Sequence, residues 1–317
     1  MSAGSLATAL GPGAEFDLVR RLAAQWGSRA AGLGDDAAEL PLAPGMRLLV
    51  STDTSVEGVH FRRDWLDASD IGWRATTAAL SDLAAMGAQP LGVLVALTIP
   101  ESWLPDVAEI AAGIGDAAEA SGTRIIGGDL SRGAALSLCV TVLGSSARPL
   151  SRSGARPGDA IYVTGRLGGA FEALRALEEG REPAAEHRVR FARPKARIRE
   201  SQWLASAGAT AAIDVSDGLV ADVGHVAAAS GVAVEIDLDR VPAVAGIASA
   251  DAASSGEEYE VVVTTPGEID VAAFREVFAL DVTPIGRVTG SAAGGEVVVL
   301  QSGVRVDPPR GHDHFSR

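Results

Sequence analysis

Apolar residues in the first half of the chain recur with two periods, one typical of helices and one typical of strands. In "EFDLVRRLAAQWG" the apolar positions follow the helical period, which predicts a helix that stops at Gly27. "MRLLVSTDT" predicts a strand that ends in a polar loop. Two further helices are predicted over "SDIGWRATTAALSDLAAMG", with Ser69 or Asp70 as N-cap and Gly87 as terminator, and over "PDVAEIAAGIGDAAEASG". Buried strands are predicted over "LGVLVALTIP", "TRIIGGD" and "AALSLCVTVLG".

Helices and strands also alternate in the second half, beyond a connecting segment. "RPLSRSGARPGD" concentrates Pro, Gly, Ser and Arg, which predicts a domain boundary, with domains at 1–148 and 149–317. Strands are predicted over "AIYVTG", "ATAAIDV", "VAVEIDL", "YEVVVTT" and "TPIGRVTG". Helices are predicted from Gly168, from Arg193 to Ala207, and over "GLVADVGHVAAASG" and "VAAFREVFAL", with "REPAAEH" as a surface loop. The pattern predicts two domains of the α/β (α+β) class.

Composition and charge narrow the possible partners. The 317 residues are 47% hydrophobic and 21% charged, which is typical of a folded globular protein. A net charge of -14 argues against nucleic acid and anionic membranes as partners. "MSAGSLATALGPGAEF" lacks a basic region, and no apolar run reaches the roughly 18 residues that span a bilayer, so we expect a soluble, cytoplasmic protein. The single cysteine, Cys139, lies in an alternating strand pattern and is predicted to be a buried core residue.

Aspartates stand among small and apolar residues in five motifs. These are "GLGDDAA" (Asp35, Asp36), "VSTDT" (Asp53), "AALSDLAAMG" (Asp82), "IIGGDLS" (Asp129) and "AIDVSDGLVAD" (Asp214, Asp217). Taken alone, each carboxylate could cap a helix or start a turn, and the pair around Ser216 could be an acid/base dyad beside a nucleophile. Asp82 is harder to explain in that way, because Asp is a poor residue for a helix interior and its neighbours Leu80 and Leu83 favour burial.

Taken together, the aspartates need positive partners. Lys and Arg are scarce near the five motifs. Two carboxylates about 4 Å apart repel by about 4 kcal/mol at an effective dielectric constant of about 20, so a cluster requires cations or protons. Oxygen donors without Cys or His beside them in sequence suit Mg²⁺ and argue against a zinc site.

Magnesium sites are often completed by substrate phosphates, so the aspartates predict a site for nucleotide phosphates. Gly34, Gly127 and Gly128 would let backbone N–H groups approach the phosphates. Neither a G-x-x-x-x-G-K-[ST] motif nor a G-x-G-x-x-G motif with its partner acid occurs, which excludes a P-loop and a Rossmann site.

Seven motifs closely resemble the thiamine-monophosphate kinase family in order and spacing: "GLGDDAA", "VSTDTSVEGVHF", "ALSDLAAMGAQP", "IIGGDLSR", "SRSGARPGDAIYVTGRLGGA", "AIDVSDGLVADVGH" and "GEEYE". The resemblance extends from about Glu15 to the C-terminus. It implies a two-domain aminoimidazole ribonucleotide synthase-like fold, with an N-terminal domain that binds ATP and Mg²⁺ and forms a barrel-like interface in a homodimer. It also implies transfer of the ATP γ-phosphate to thiamine monophosphate, giving thiamine diphosphate and ADP.

The resemblance also implies residue roles. Magnesium ligands are implied at Asp36, Ser51, Thr52, Asp53, Asp82, Asp129, Asp214 and Asp217. Contacts to ATP are implied at Gly128, Asp129, Arg152 and Ser216, and the thiamine-phosphate side at His60, Glu257 and His312. Asp214, Asp217 and Arg152 are the implied catalytic set, with Ser216 as a phosphate contact because no activating His or Lys is adjacent in sequence.

Four positions depart from the family pattern. Ser255 and Glu258 stand where the family usually has Gly and Asp in Gly-Gly-Glu-Asp-Tyr-Glu, and Leu130 and His312 replace a Thr and an aromatic residue. These changes put thiamine affinity in question, and Ser255 is expected to resist a positive φ. The alternatives are another ATP-dependent enzyme of the superfamily, two of which would be expected to carry a terminal reactive Cys, and a non-catalytic nucleotide-binding dimer.

Overall fold

The computed structural model describes residues 14–30, 37–38 and 40–312. The chain divides into two compact units, an N-terminal unit of residues 1–83 and 88–148 and a C-terminal unit of residues 84–87 and 149–317. In the described ranges, no helix has the length and apolar character needed to cross a membrane.

A four-stranded sheet organises the N-terminal unit. The helices are α1 (Ala14–Trp26), α2 (Ala68–Ala85) and α3 (Val107–Ala120), and the strands are β1 (Arg47–Val56), β2 (Gln89–Ile99), β3 (Ile125–Arg132) and β4 (Ser137–Ser146). The strand order is β1-β4-β2-β3, with β4 antiparallel to both neighbours and β2 parallel to β3. This sheet is open rather than closed into a barrel.

The two faces of this sheet differ in burial. Val95, Leu97, Leu138 and Val140 point to a buried face, against which α2 packs, with the Leu83 side chain close to Gly144 of β4. Helices α2 and α3 pack very closely, because a Cβ on Gly113 would lie 1.8 Å from the Ser69 carbonyl oxygen.

The opposite face is partly open. Leu48 and Val50 of β1 are 51% and 59% exposed on this face. Cys139 also lies on this face and is only partly buried, so the prediction of a core cysteine was wrong. The alternation identifies the strand, but it does not tell which face of the strand is covered.

A seven-stranded sheet organises the C-terminal unit. Its strands are β5 (Ala160–Thr164), β6 (Ala211–Asp214), β7 (Val232–Asp237), β8 (Val261–Thr265), β9 (Val282–Ser291), β10 (Glu296–Gln301) and β11 (Val304–Val306). Its helices are α4 (Gly169–Glu178), α5 (Ala185–Ala192), α6 (Ile198–Ser206), α7 (Leu219–Ser230), α8 (Ser249–Ser254) and α9 (Val271–Phe278). The strand order is β11-β10-β7-β9-β5-β8-β6, so β6 is an edge strand. The core includes Ile161, Val163, Ile213, Val262 and Val288.

The mixed two-domain fold confirms the predicted class, while several element boundaries differ. The "STDT" segment continues β1 instead of forming a loop, because it pairs with β4 through Val56. Helix α2 begins at Ala68, so Ser69 and Asp70 lie inside its first turn and neither is its N-cap. The predicted surface loop "REPAAEH" contributes its last three residues to α5.

A second group of differences lies in the C-terminal unit. The helix predicted from Arg193 to Ala207 begins only at Ile198. Pro194 disfavours helical backbone at Arg193, which accounts for the first residue of the difference. Helix α8 and strands β10 and β11 were not predicted.

Candidate functional site

A strand-turn-helix unit carries the central aspartates of the C-terminal unit. Strand β6 ends at Asp214 and α7 begins at Leu219, so Val215–Gly218 form the connecting turn. Asp214 is 5% exposed, whereas Ser216 and Asp217 are half-buried. Gly218 has φ of 127°, and a Cβ there would lie 2.9 Å from the Ser254 carbonyl oxygen. The turn therefore requires glycine at this position.

Asp222, in the first turn of α7, holds this connecting turn. Its Oδ2 atom accepts backbone N–H bonds from Ser216, Asp217 and Gly218 at 3.0, 3.2 and 3.1 Å. Asp222 is 1% exposed. Burial, followed by the negative charges of Asp214 and Asp217, raises the pKa of Asp222 to about 7, although the backbone bonds act in the opposite direction. Sequence reasoning did not single out Asp222, although an Asp between apolar residues was a signal for it.

His225 lies close to the carboxylates in space. One ligand atom each of Asp217, Asp222 and His225 lies within 4.8 Å of the other two. His225 is exposed. Along the sequence no His adjoins the aspartates, but one helical turn of α7 brings His225 over the first turn of the helix.

The segment Ser255–Glu260 pairs with the connecting turn. The Glu257 N–H donates to the Ser216 carbonyl at 2.7 Å, and the Tyr259 N–H donates to the Val215 carbonyl at 2.9 Å. Glu257 and Tyr259 have positive φ values of 57° and 53°. The structure therefore brings Glu257 next to Ser216, which the sequence could not show.

The end of the described chain also contacts the connecting turn. The His312 N–H donates to the Asp217 carbonyl at 2.8 Å, and Gly311 packs against Asp217 and Ala221. Asp217, Ser216, Glu257 and His312 are thus neighbours in the C-terminal unit.

The backbone at Ser151 and Arg152 lies beside edge strand β6. The Ser151 carbonyl accepts the Ala212 N–H at 3.0 Å, and the Arg152 carbonyl accepts the Ser230 hydroxyl at 2.9 Å. The Arg152 side chain is exposed, and no ion pair is found for it in the described part of the chain. An exposed guanidinium without a carboxylate partner suits the binding of an anion.

In the N-terminal unit, the strand register sorts the predicted ligands onto two faces. Ser51 and Asp53 of β1 lie on the α2 side, where the Ser51 hydroxyl donates to Asp82 Oδ2 at 2.5 Å. Asp53 Oδ1 accepts the Thr54 N–H at 2.6 Å. Asp82 is half-buried in the last turn of α2, so its full burial, which the apolar neighbours favoured, was wrong.

Thr52 and Asp129, two further predicted ligands of this unit, lie on the open face. Thr52 Oγ1 is 3.0 Å from Thr141 Oγ1 and 3.4 Å from Cys139 Sγ. Asp129 pairs with Ala96, which in turn pairs with Cys139, so all three share that face. Asp36, Asp35 and Gly34 lie outside the described residues.

Gly128 and His60 have structural contacts of their own. A Cβ on Gly128 would lie 2.0 Å from the Val95 carbonyl oxygen, so the close approach of β2 and β3 by itself requires glycine there. His60 Nδ1 accepts the Val56 N–H at 3.1 Å, which assigns the proton of the neutral ring to Nε2.

Two departures from the family pattern have a structural explanation. Ser255 has φ of -66°, and the positive φ falls on Glu257 instead. The expected strain at Ser255 is therefore absent. Glu258 Oε1 accepts N–H bonds from Gly168 and Ala170 at 2.8 and 3.0 Å, at the start of α4. Burial raises the pKa of Glu258 above its ordinary value of 4.5.

Comparisons with known proteins agree across both units. Residues 34–146 match the family described as "AIR synthase related protein, N-terminal domain", and residues 156–299 match "AIR synthase related protein, C-terminal domain". The thiamine-monophosphate kinase of Salmonella typhimurium is 37% identical over 304 residues, covering 90% of this chain and 92% of its own.

Two solved structures extend this similarity. The crystal structure of thiamine-monophosphate kinase from Stenotrophomonas maltophilia K279a has a TM-score of 0.80 and 37% identity, covering 90% of this chain and 96% of its own. The structure of AaThiL complexed with AMPPCP and TMP has a TM-score of 0.74 and 31% identity, covering 95% of this chain and 96% of its own.

Proposed function

Because the chain belongs to the thiamine-monophosphate kinase family of AIR synthase related proteins, we propose that it transfers the γ-phosphate of ATP directly to thiamine monophosphate. The products are thiamine diphosphate and ADP. The observation that carries this proposal is that AaThiL, similar over 95% of this chain, forms a complex with AMPPCP and TMP. The contacts of Glu257 and His312 with the turn of Ser216 and Asp217 support it, because they bring together residues that the resemblance implies for the acceptor side and for the ATP side.

The residues present fit magnesium. The donors are oxygen atoms of carboxylates and hydroxyl groups, which are the ligands of hard cations. Burial and, after it, the charges of Asp214 and Asp217 raise the pKa of the Asp222 carboxyl, so negative charge gathers here that a cation would relieve. We propose as Mg²⁺ ligands Asp36, Ser51, Thr52, Asp53, Asp82, Asp129, Asp214 and Asp217. Bound Mg²⁺ would neutralise phosphate charge during transfer.

The protein's own residues then bind and orient the phosphates. Gly128, Asp129, Arg152 and Ser216 are proposed to contact ATP, with the exposed Arg152 guanidinium stabilising charge on the transferred group. The peptide groups on either side of Ser216 are held by Asp222 and Glu257, and this fixed backbone supports the proposal that the Ser216 hydroxyl contacts phosphate.

The acceptor side is proposed to comprise His60, Glu257 and His312. The phosphate of thiamine monophosphate is already ionised at neutral pH, so the reaction requires no strong general base. Positioning of the two phosphates therefore supplies most of the rate enhancement, and Asp214, Asp217 and Arg152 act through charge.

We further propose that two copies of the chain associate through the open face of the N-terminal sheet. Leu48 and Val50 are more than half exposed there, and a second copy would remove this apolar surface from water. We place the enzyme in the cytoplasm, where ATP is supplied.

The test is product analysis by mass spectrometry. Purified protein is incubated with ATP, Mg²⁺ and thiamine monophosphate, and we expect equal amounts of ADP and thiamine diphosphate. ADP without thiamine diphosphate would refute the proposed acceptor. Nucleotide binding without either product would instead support the non-catalytic dimer.

A further inference from the structure

The turn between β6 and α7 is the meeting point of three chain segments of the C-terminal unit. Three of its N–H groups converge on one oxygen of Asp222. Its Ser216 and Asp217 carbonyls accept the N–H groups of Glu257 and His312. We propose that Asp222 is a positioning residue that fixes this turn and, through it, the acceptor-side residues Glu257 and His312. The roles of those two residues rest on the function proposed above.

The geometry of the peptide bond couples the two sides of the turn. A trans peptide unit is planar, and its N–H and C=O groups point in opposite directions. The unit joining Ser216 to Asp217 donates its N–H to Asp222 and accepts from Glu257 through its C=O. The unit joining Asp217 to Gly218 donates to Asp222 and accepts from His312 in the same way. A rotation of either plane away from Asp222 therefore disturbs the contact on its far side.

The buried position of Asp222 gives this arrangement its rigidity. At 1% exposure, water cannot replace the carboxylate oxygen without opening the turn. Ser216 and Asp217 lie on the turn itself, so the same carboxylate holds the proposed ATP contact Ser216 and the proposed Mg²⁺ ligand Asp217 in place. Removal of the oxygen is expected to affect the ATP side and the acceptor side together.

Asp159 offers a matched control in the same unit. It is 2% exposed, and its Oδ2 accepts the Arg156 N–H at 3.0 Å and the Thr210 hydroxyl at 2.7 Å. Thr210 precedes β6, so Asp159 lies near the start of the strand and the turn lies at its end. Replacement of Asp159 by Ala thus removes a similarly buried acceptor at a distance from the turn.

The experiment measures amide hydrogen exchange in the full chain without nucleotide or metal, for Asp222→Ala, Asp222→Asn and Asp159→Ala. We expect Asp222→Ala to speed exchange about tenfold or more at Glu257 and His312 as well as in the turn. Asp222→Asn keeps one neutral oxygen as an acceptor and should speed hydrogen exchange at these residues about threefold. Asp222→Asn also provides the result if Asp222→Ala does not fold. Unchanged exchange at Glu257 and His312, or a change matched by Asp159→Ala, would overturn the proposal.

Steady-state kinetics provides the second measurement. Asp222→Ala should raise KM for ATP and for thiamine monophosphate together, each by about tenfold, with Asp222→Asn closer to the wild type. A rise in the Mg²⁺ requirement alone, with normal exchange, would make Asp222 a metal ligand and overturn the positioning role. The exchange measurement does not depend on catalysis. Failure of the wild type to make thiamine diphosphate would therefore refute the proposed function, while hydrogen exchange would still decide whether Asp222 positions Glu257 and His312.

Discussion

The Ser255 hydroxyl donates a hydrogen bond of 2.6 Å to Glu258 Oε1, so two departures from the family pattern contact each other. The same oxygen accepts the N–H groups at the start of α4. A carboxylate in this position satisfies backbone donors that the helix cannot satisfy itself. The longer side chain of Glu258 and the hydroxyl of Ser255 therefore form one hydrogen-bonded unit.

We predict that Ser255 and Glu258 are energetically coupled. Ser255→Gly and Glu258→Asp should each lower the free energy of unfolding by about 1–2 kcal/mol, since each breaks buried hydrogen bonds. The double variant should lose clearly less than the two single losses combined, because Gly with Asp leaves no unpaired hydroxyl donor. Urea unfolding of the four proteins measures the coupling. Strictly additive losses would show that the two residues are independent.

Glu258 should make stability depend on pH. Burial raises its pKa above 4.5, so the folded protein keeps a proton that the unfolded chain has lost. The free energy of unfolding should therefore be highest below that pH and fall as the pH rises through the folded pKa. Glu258→Gln, which cannot titrate, should lack this fall. The measurement is the unfolding free energy of the wild type minus that of Glu258→Gln, taken across pH 4 to 8. We expect this value to fall as the pH rises, and a value that increases with pH would contradict the prediction.

Asp214→Asn should abolish turnover while the protein stays folded. The substitution keeps the shape of a side chain that is 5% exposed but removes the charge proposed to bind Mg²⁺. The Mg²⁺-dependent rise in melting temperature with ATP should disappear as well. Asp270→Asn is the control, because Asp270 is an exposed cap of α9 and Asn caps helices equally well. Full activity in Asp214→Asn would remove Asp214 from the catalytic set.

A charge on the open face of the N-terminal sheet should separate the two copies. Val50→Glu places a carboxylate on a position that is 59% exposed in the single chain and is proposed to be buried in the dimer. Light scattering should give the mass of a dimer for the wild type and of a monomer for Val50→Glu. Val304→Glu, at a 64% exposed position of β11, should remain dimeric. A dimer that survives Val50→Glu would exclude this face.

The sequence predicts the strand-turn-helix unit around Asp214 well, since β6 ends and α7 begins within the motif. It fails at "STDT", whose polar residues indicate a loop when read alone. Thr favours strands, and pairing with β4 decides the outcome. The contacts of the turn with Glu257 and His312 join distant parts of the chain and follow from tertiary packing that no local pattern encodes. The sequence did not single out Asp222, because Asp is common in the first turn of any helix, where the helix dipole favours a negative charge.

Strand β1 assigns neighbouring residues to opposite faces, with Ser51 and Asp53 towards α2 and Thr52 towards the open face. A single residue inserted or deleted in β1 before Ser51 would move each of these side chains to the opposite face of the sheet. The proposed metal ligands Ser51, Thr52 and Asp53 and the proposed subunit contact at Val50 would then all be displaced together. We therefore expect related chains to differ within Arg47–Val56 by substitution and to differ in length outside it.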